Sequence, residues 1–202
     1  MHEDPFKEFE ATLKRSVAAF READVEALLG GSLAIWARGG PETKHDLDFM
    51  VRPEDAERAL QALVDAGMKP ETPPEGWLYK AWDGDVLVDV IFRPRGLEMT
   101  DEVFRRADRR EVLAISVALM ALEDVFATKL LALDEHNCDY KSVLLMARSL
   151  REQIDWDHLR ERTEGHPFAQ AFFVLVEDLG IAPVAGSEAV RGGANIRVIE
   201  PR

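Results

Sequence analysis

Asp46 and Asp48 stand one residue apart inside an apolar run that ends at Val51. Successive side chains of a strand point to opposite faces, so this pair projects side by side while Leu47 and Phe49 turn into the core. Burying an unpaired carboxylate is expensive, and two like charges this close repel unless a cation sits between them. A D-x-D pair on a strand is a sensible cradle for such an ion; taken alone, the plainer reading is a solvated edge or a cap. Upstream, the apolar run Val25–Leu29 ends at Gly30-Gly31-Ser32, which reads as a strand followed by a tight turn. Glycines let backbone N–H groups approach a phosphate closely. Ser32 can cap a short helix over Leu33–Arg38, whose N-terminus favours an anion, and its hydroxyl can bond a phosphate oxygen. Arg38, Lys44 and His45 lie between this turn and the aspartates, so a cation from that loop can reach a triphosphate.

A third acid is equally out of place. Asp89 lies in "GDVLVDVIF", amid Val86, Leu87, Val88, Val90, Ile91 and Phe92. Residues 77–82 and 86–92 flank "DGD", a hairpin signal. If the Asp89 strand neighbours the Asp46 strand, three carboxylates converge. Magnesium binds through one or two carboxylates plus substrate phosphates, and two such ions can clamp the attacking and leaving oxygens of a phosphoryl displacement. Asp89 would ligate the second ion and serve as general base. Asp85, nearer the turn, reads as solvated.

The remaining pattern frames these residues. Phe6, Phe9, Leu13, Val17 and Phe20 recur at helical spacing over 5–21. Pro53 opens a helix over 54–66 that stops at Gly67, and three prolines break 68–76. Residues 99–110 are charged, and "EVLAISVALMAL" fits either strand or helix. Helices are expected at 123–133, 141–153, 155–162 and 168–179, with a loosely ordered tail from Ile181. A boundary near residue 110 separates an α/β core, 1–110, from a helical part, 111–202.

Composition narrows the function. A net charge of −13 argues against nucleic-acid binding along a broad face, leaves room for a local basic groove, and suits a small cationic acceptor. The densest basic cluster is Arg105, Arg106, Arg109 and Arg110; a helix would put several on one face. A single cysteine, Cys138, excludes an internal disulfide and fits a reducing, cytoplasmic setting. The N-terminus lacks a signal-peptide pattern, and the longest apolar run, 112–122, is too short to span a bilayer. The five histidines have no zinc-like spacing. Trp77 and Tyr79 can stack a base, but packing is the plainer reading.

The ordering of Gly31-Ser32, Asp46-x-Asp48 and Asp89 resembles the DNA polymerase β-like nucleotidyltransferase superfamily over residues 25–92. That resemblance implies an α+β fold, a mixed sheet flanked by helices, with a helical C-terminal half. It also implies two magnesium ions on Asp46, Asp48 and Asp89, and transfer of a nucleoside monophosphate from a nucleoside triphosphate to an acceptor. The segment "ALEDVFATKLLALDEHNCDYKSV" is similar to the one following the core of AbiEii/MenT-type toxin nucleotidyltransferases. Lys129-Leu130-Leu131-Ala132 matches a K-L-x-A motif whose lysine contacts the nucleotide. Asp139 begins a D-x-x-D in which Ser142 replaces the second acid, and Arg38 and Thr43 stand loosely for the Arg and Thr expected before D-x-D. This subfamily implies a toxin that modifies the 3′ end of tRNA and pairs with an antitoxin protein. The alternatives are an aminoglycoside-type small-molecule nucleotidyltransferase and a catalytically silent partner-binding domain. The intact Asp46, Asp48 and Asp89 favour an enzyme. Read from the residues alone, Lys129 lies either on a wet helix flank or against the nucleotide, and Asp139 equally suits a helix N-cap. Glu123 and Asp124 read as first-turn acids favoured by the helix dipole.

Overall fold

A computed structural model describes residues 5–42, 46–71 and 73–186. Lys44 and His45, Thr43, and the tail beyond 186 lie outside the described residues. No described helix is long and apolar enough to cross a membrane.

Strand β2 (Asp46–Met50) runs parallel to β5 (Val86–Ile91) near the centre of a seven-stranded mixed sheet. The β-branched residues of β5 suit a pleated, buried position. It is joined to β4 (Leu78–Asp83) by the Gly84-Asp85 loop, where Gly84 takes φ +61°, and the hairpin register pairs Lys80 with Asp89. On the other side of β2 lies β1 (Leu28–Leu29), which is antiparallel to β2. The strand order is β3-β4-β5-β2-β1-β7-β6, where β3 is Lys69–Glu71, β6 is Asp108–Val112 and β7 is Ile115–Leu119.

Helices cover the two faces unequally. Leu29, Leu47, Phe49, Ala81, Val88 and Val90 point to one face and are buried with Phe9, Leu13 and Phe20 of α1 (Pro5–Glu22) and with Ala59 and Leu63 of α3 (Ala56–Asp65). Thr12 of α1 donates to Asp83 Oδ2 at 2.8 Å, fixing that helix over the hairpin. The opposite face carries Leu28, Met50, Leu78 and Ile91 at one end. These pack on a second core built from α5 (Leu122–Leu131), α6 (Tyr140–Leu150), α7 (Trp156–Arg162) and α8 (Pro167–Asp178). Asp46, Asp48 and Asp89 belong to this same face but precede Met50 and Ile91, so they fall beyond the helical cover.

Several local expectations are corrected. Only Leu28–Leu29 of the 25–29 run is strand, and the helix after Gly30 is α2, Gly31–Trp36. The proline-broken stretch contains β3, in which Pro70 is tolerated because the strand is at the sheet edge. The charged segment 99–110 is not one helix. It holds the short α4 (Asp101–Arg105) and then β6, whose hairpin with β7 spans 108–119 and continues the sheet past residue 110. The four arginines therefore do not share a helix face: Arg105 ends α4, Arg106 pairs with Glu102 and Asp124, and Arg109 and Arg110 are consecutive on an edge strand. Charges along that edge discourage pairing with another chain.

Candidate active site

The parallel register of β2 and β5 sets Asp48 directly opposite Asp89, with Asp46 two residues earlier on the same face. Across the hairpin, Lys80 stands on the far side of Asp89, its Nζ 3.5 Å from Oδ1. That oxygen is buried and has no closer hydrogen-bond donor than this long contact with Lys80. Burial pushes the Asp48 carboxyl up to about 6; the charge of Lys129 opposes this, and Asp89 and Asp46 add to it. Asp89 is likewise raised, chiefly by burial, against the pull of Lys80.

The glycine turn closes on this pair. Gly30 N–H donates to the Asp48 carbonyl at 2.8 Å, locking the turn to β2. Gly31 takes φ +56°, and a Cβ built there would lie 1.7 Å from Asp48 Oδ2. No L side chain other than glycine fits, on conformation and on space. From the helical part, α5 brings Lys129, whose pKa is lowered by burial and supported by Asp48. A cleft of about 710 Å³ joins these elements, with Gly31, Asp48, Trp77, Arg93, Arg95 and Lys129 among its walls.

Among the described residues, no three His, Cys, Asp or Glu side chains converge closely enough to form a metal centre as they stand, and Asp89 is in contact with Lys80. The donor set nevertheless fits a hard divalent cation. It offers carboxylate oxygens from neighbouring strands, one of them buried with no donor nearer than Lys80.

Of the residues singled out in the sequence, Asp46, Asp48, Asp89, Gly30, Gly31 and Lys129 come together at one end of the sheet. Ser32 follows in the first turn of α2, half-buried. Arg38 does not join them. It is buried, and its guanidinium donates to the carbonyls of Ala34 and Met120 at 2.9 and 2.8 Å, tying α2 to the start of α5. Asp139 is the N-cap of α6, its side chain accepting from Ser142 N–H at 3.3 Å. Lys80 escaped notice, although counting back across the Gly84-Asp85 loop would have put it beside Asp89. Trp77, Arg93 and Arg95 also line the cleft. The aromatic that packs inward is Tyr79, 5.0 Å from the Phe92 ring.

The family model of an uncharacterised nucleotidyltransferase family matches residues 11–185. No curated protein matches the chain. Among solved structures, the solution structure of the antibiotic-resistance factor ANT(2″)-Ia is 17% identical with a TM-score of 0.57, covering 85% of this chain and 94% of that one. A crystal structure of ANT(2″)-Ia in complex with adenylyl-2″-tobramycin is 18% identical with a TM-score of 0.55, covering 81% and 98%. A Thermotoga maritima protein assigned as a nucleotidyltransferase is 15% identical with a TM-score of 0.51, covering 61% and 84%. These likenesses establish the shared fold, and the match over 11–185 goes further: the chain is an enzyme belonging to that uncharacterised nucleotidyltransferase family.

Proposed function

We propose that the protein moves a nucleoside monophosphate from a nucleoside triphosphate to the 3′ end of an RNA such as tRNA, with Asp46, Asp48 and Asp89 as the acidic centre. The observation that carries this is the register that sets Asp48 against Asp89, with Gly31 pressed on the same carboxylate. These three acids would hold magnesium, which supplies charge neutralisation for the phosphates and for the departing pyrophosphate. In this reading Asp89, directly across from Asp48, also takes the proton from the attacking hydroxyl. The Gly30-Gly31 turn brings backbone without side chains against Asp48, and Lys129 faces the same charge from α5, so a phosphate entering the cleft would meet both.

Arg93, Arg95 and Lys129 in the cleft wall favour a phosphate-bearing acceptor over a polycationic amine. The Lys129-Leu130-Leu131-Ala132 match supports a toxin-type RNA modifier of the AbiEii/MenT kind, for which an antitoxin would be the protein partner. A second reading, transfer to a small molecule of the tobramycin kind, draws on the ANT(2″)-Ia complex and on the net charge of −13.

The test is incubation of the protein and of Asp48→Asn with each labelled nucleoside triphosphate, magnesium, and either total RNA or tobramycin. Label on RNA that disappears with EDTA and with Asp48→Asn supports the first reading. Label on tobramycin alone transfers the conclusion to the second. Label on neither acceptor overturns both.

A further inference from the structure

The cleft has two chemically distinct ends. The inner end is partly buried and carries Asp48, Gly31 and Lys129. The outer end carries Trp77, Arg93 and Arg95, all exposed, and none is needed to hold the acidic centre together. Trp77 keeps 40% of its surface in solvent, so its indole face is open to the cleft it lines. Its backbone is nonetheless pinned. The Trp77 carbonyl accepts from the N–H groups of Phe92 at 3.1 Å and Arg93 at 3.2 Å, so the main chains of Trp77 and Arg93 lie side by side. Among the described residues, Arg93 pairs with no carboxylate. Arg95 is bound only to Asp134, at 3.1 Å and with 63% of its side chain exposed, the kind of surface pair a phosphate can displace at little cost.

An exposed indole that shares a cleft wall with two arginines carries the chemistry that recognises a nucleotide: the base by its π-face and the phosphate by charge-assisted hydrogen bonds. We propose that Trp77, Arg93 and Arg95 form a nucleotide-recognition subsite at the mouth of the cleft, where a nucleobase stacks on the indole and its phosphate meets the two arginines. The subsite rests on the reading of this cleft as the place of transfer, and the nucleotide has two possible sources: the donor triphosphate or the terminal nucleotide of the RNA acceptor.

The full-length protein, Trp77→Ala, Trp77→Phe and the double variant Arg93→Ala/Arg95→Ala are titrated with each nucleoside triphosphate, with a short single-stranded RNA, and with inorganic tripolyphosphate as a base-free probe. Melting curves accompany each variant. Trp77→Ala is expected to weaken the base-bearing ligand about tenfold or more while leaving tripolyphosphate unchanged. Trp77→Phe is expected to restore most of that loss, which a merely packing role would not require. The arginine double variant is expected to weaken the phosphate-bearing ligands in a salt-dependent way. Loss confined to the triphosphate assigns the subsite to the donor; loss confined to RNA assigns it to the acceptor; both outcomes support it. Trp77→Ala binding both ligands within twofold of the unaltered protein overturns it, as does binding of neither ligand by the unaltered protein. If nucleotides bind in a Trp77-dependent way but no label is ever transferred, the subsite stands and the transfer reading falls.

Discussion

Gly31 and Asp48 are in contact so close that one added carbon would sit 1.7 Å from the carboxylate oxygen. Gly31→Ala must therefore displace either the turn or the Asp48 side chain, and it must also hold φ near +56° with a β-carbon. The variant is expected to lose ~1–3 kcal/mol of stability, the range for a strained backbone position, and to lose transfer activity by at least two orders of magnitude. Gly39→Ala is the comparison. It shares a positive φ, +93°, but a Cβ there meets nothing within 4 Å. A thermal melt and a transfer assay on both variants separate backbone strain from the clash. Equal activity in the two would mean the Gly31–Asp48 contact is incidental.

The charge of Lys129 is the strongest influence holding Asp48 ionised against burial. Removing it with Lys129→Met raises the Asp48 carboxyl further above its already elevated value of about 6. In the metal-free protein the Asp48 carboxyl should then titrate at higher pH, while Lys129→Arg keeps it near its original position. Carboxyl titration of the three metal-free proteins by NMR decides this. A titration that stays in place in Lys129→Met removes Lys129 from the electrostatics of the site.

Asp48 also links the site to stability. Its pKa lies above the unfolded value of 3.8, so the folded chain holds that proton more tightly than the unfolded one. Stability of the ligand-free protein from this group therefore declines as pH rises from about 4 through about 6 and is flat above. Asp48→Asn cannot ionise and escapes the decline. It is expected to be more stable than the parent at pH 8 by up to ~3 kcal/mol, less whatever Lys129 loses with its partner, and to show no advantage below about pH 4. Denaturant unfolding at pH 4, 6 and 8 without metal checks the trend. An Asn variant less stable at pH 8 would mean the ion pair with Lys129 outweighs the burial of both groups.

Much of this arrangement was legible because it violates local rules. Acids at positions 46, 48 and 89 break apolar strands, and glycines at 30 and 31 break the run before them, so each announces a site. What stayed hidden obeys no short-range pattern. Arg38 reads as a loop cation, yet its partners are carbonyls of Ala34 and of Met120, and the second is 82 residues away. Asp124 reads as a first-turn helix acid, yet it is fully buried, with arginines 18 and 38 residues distant around it. The β6–β7 hairpin was obscured by its turn. Leu113 and Ala114 take φ +49° and +62°, a conformation normally marked by Asn-Gly, and neither residue carries that signal.

That turn offers a direct check on the hairpin. Ala114 is exposed and sits in the left-handed region, where a β-carbon costs energy and glycine does not. Ala114→Gly is expected to stabilise the protein by ~0.5–1 kcal/mol, with no change in transfer. A destabilised variant, measured by denaturant midpoint, would contradict a two-residue left-handed reversal at this position.

Asp124 is the most demanding polar group in the helical part. Its carboxylate is 1% exposed and accepts from Arg106 at 3.1 and 2.8 Å and from Arg162 at 2.8 Å, so one acid joins α5 to the end of α4 and to α7. Removing it leaves Arg162 without its acid and Arg106 with Glu102 alone, both largely buried. Asp124→Ala is expected to cost ~3–5 kcal/mol, the range for breaking a buried ion pair from one side, and to lower the melting temperature by roughly 10 °C. Replacing all three partners together with apolar residues of similar volume should recover most of that loss, because the penalty lies in the orphaned charges rather than in the pair itself. The same residue fixes α5, which carries Lys129 five positions later, so the single variant is also expected to reduce transfer at temperatures where it remains folded. If the apolar triple variant regains stability and not activity, the ion triad serves to orient α5. If it regains both, the triad only fills space, and Lys129 is aimed by the hydrophobic contacts of α5 alone.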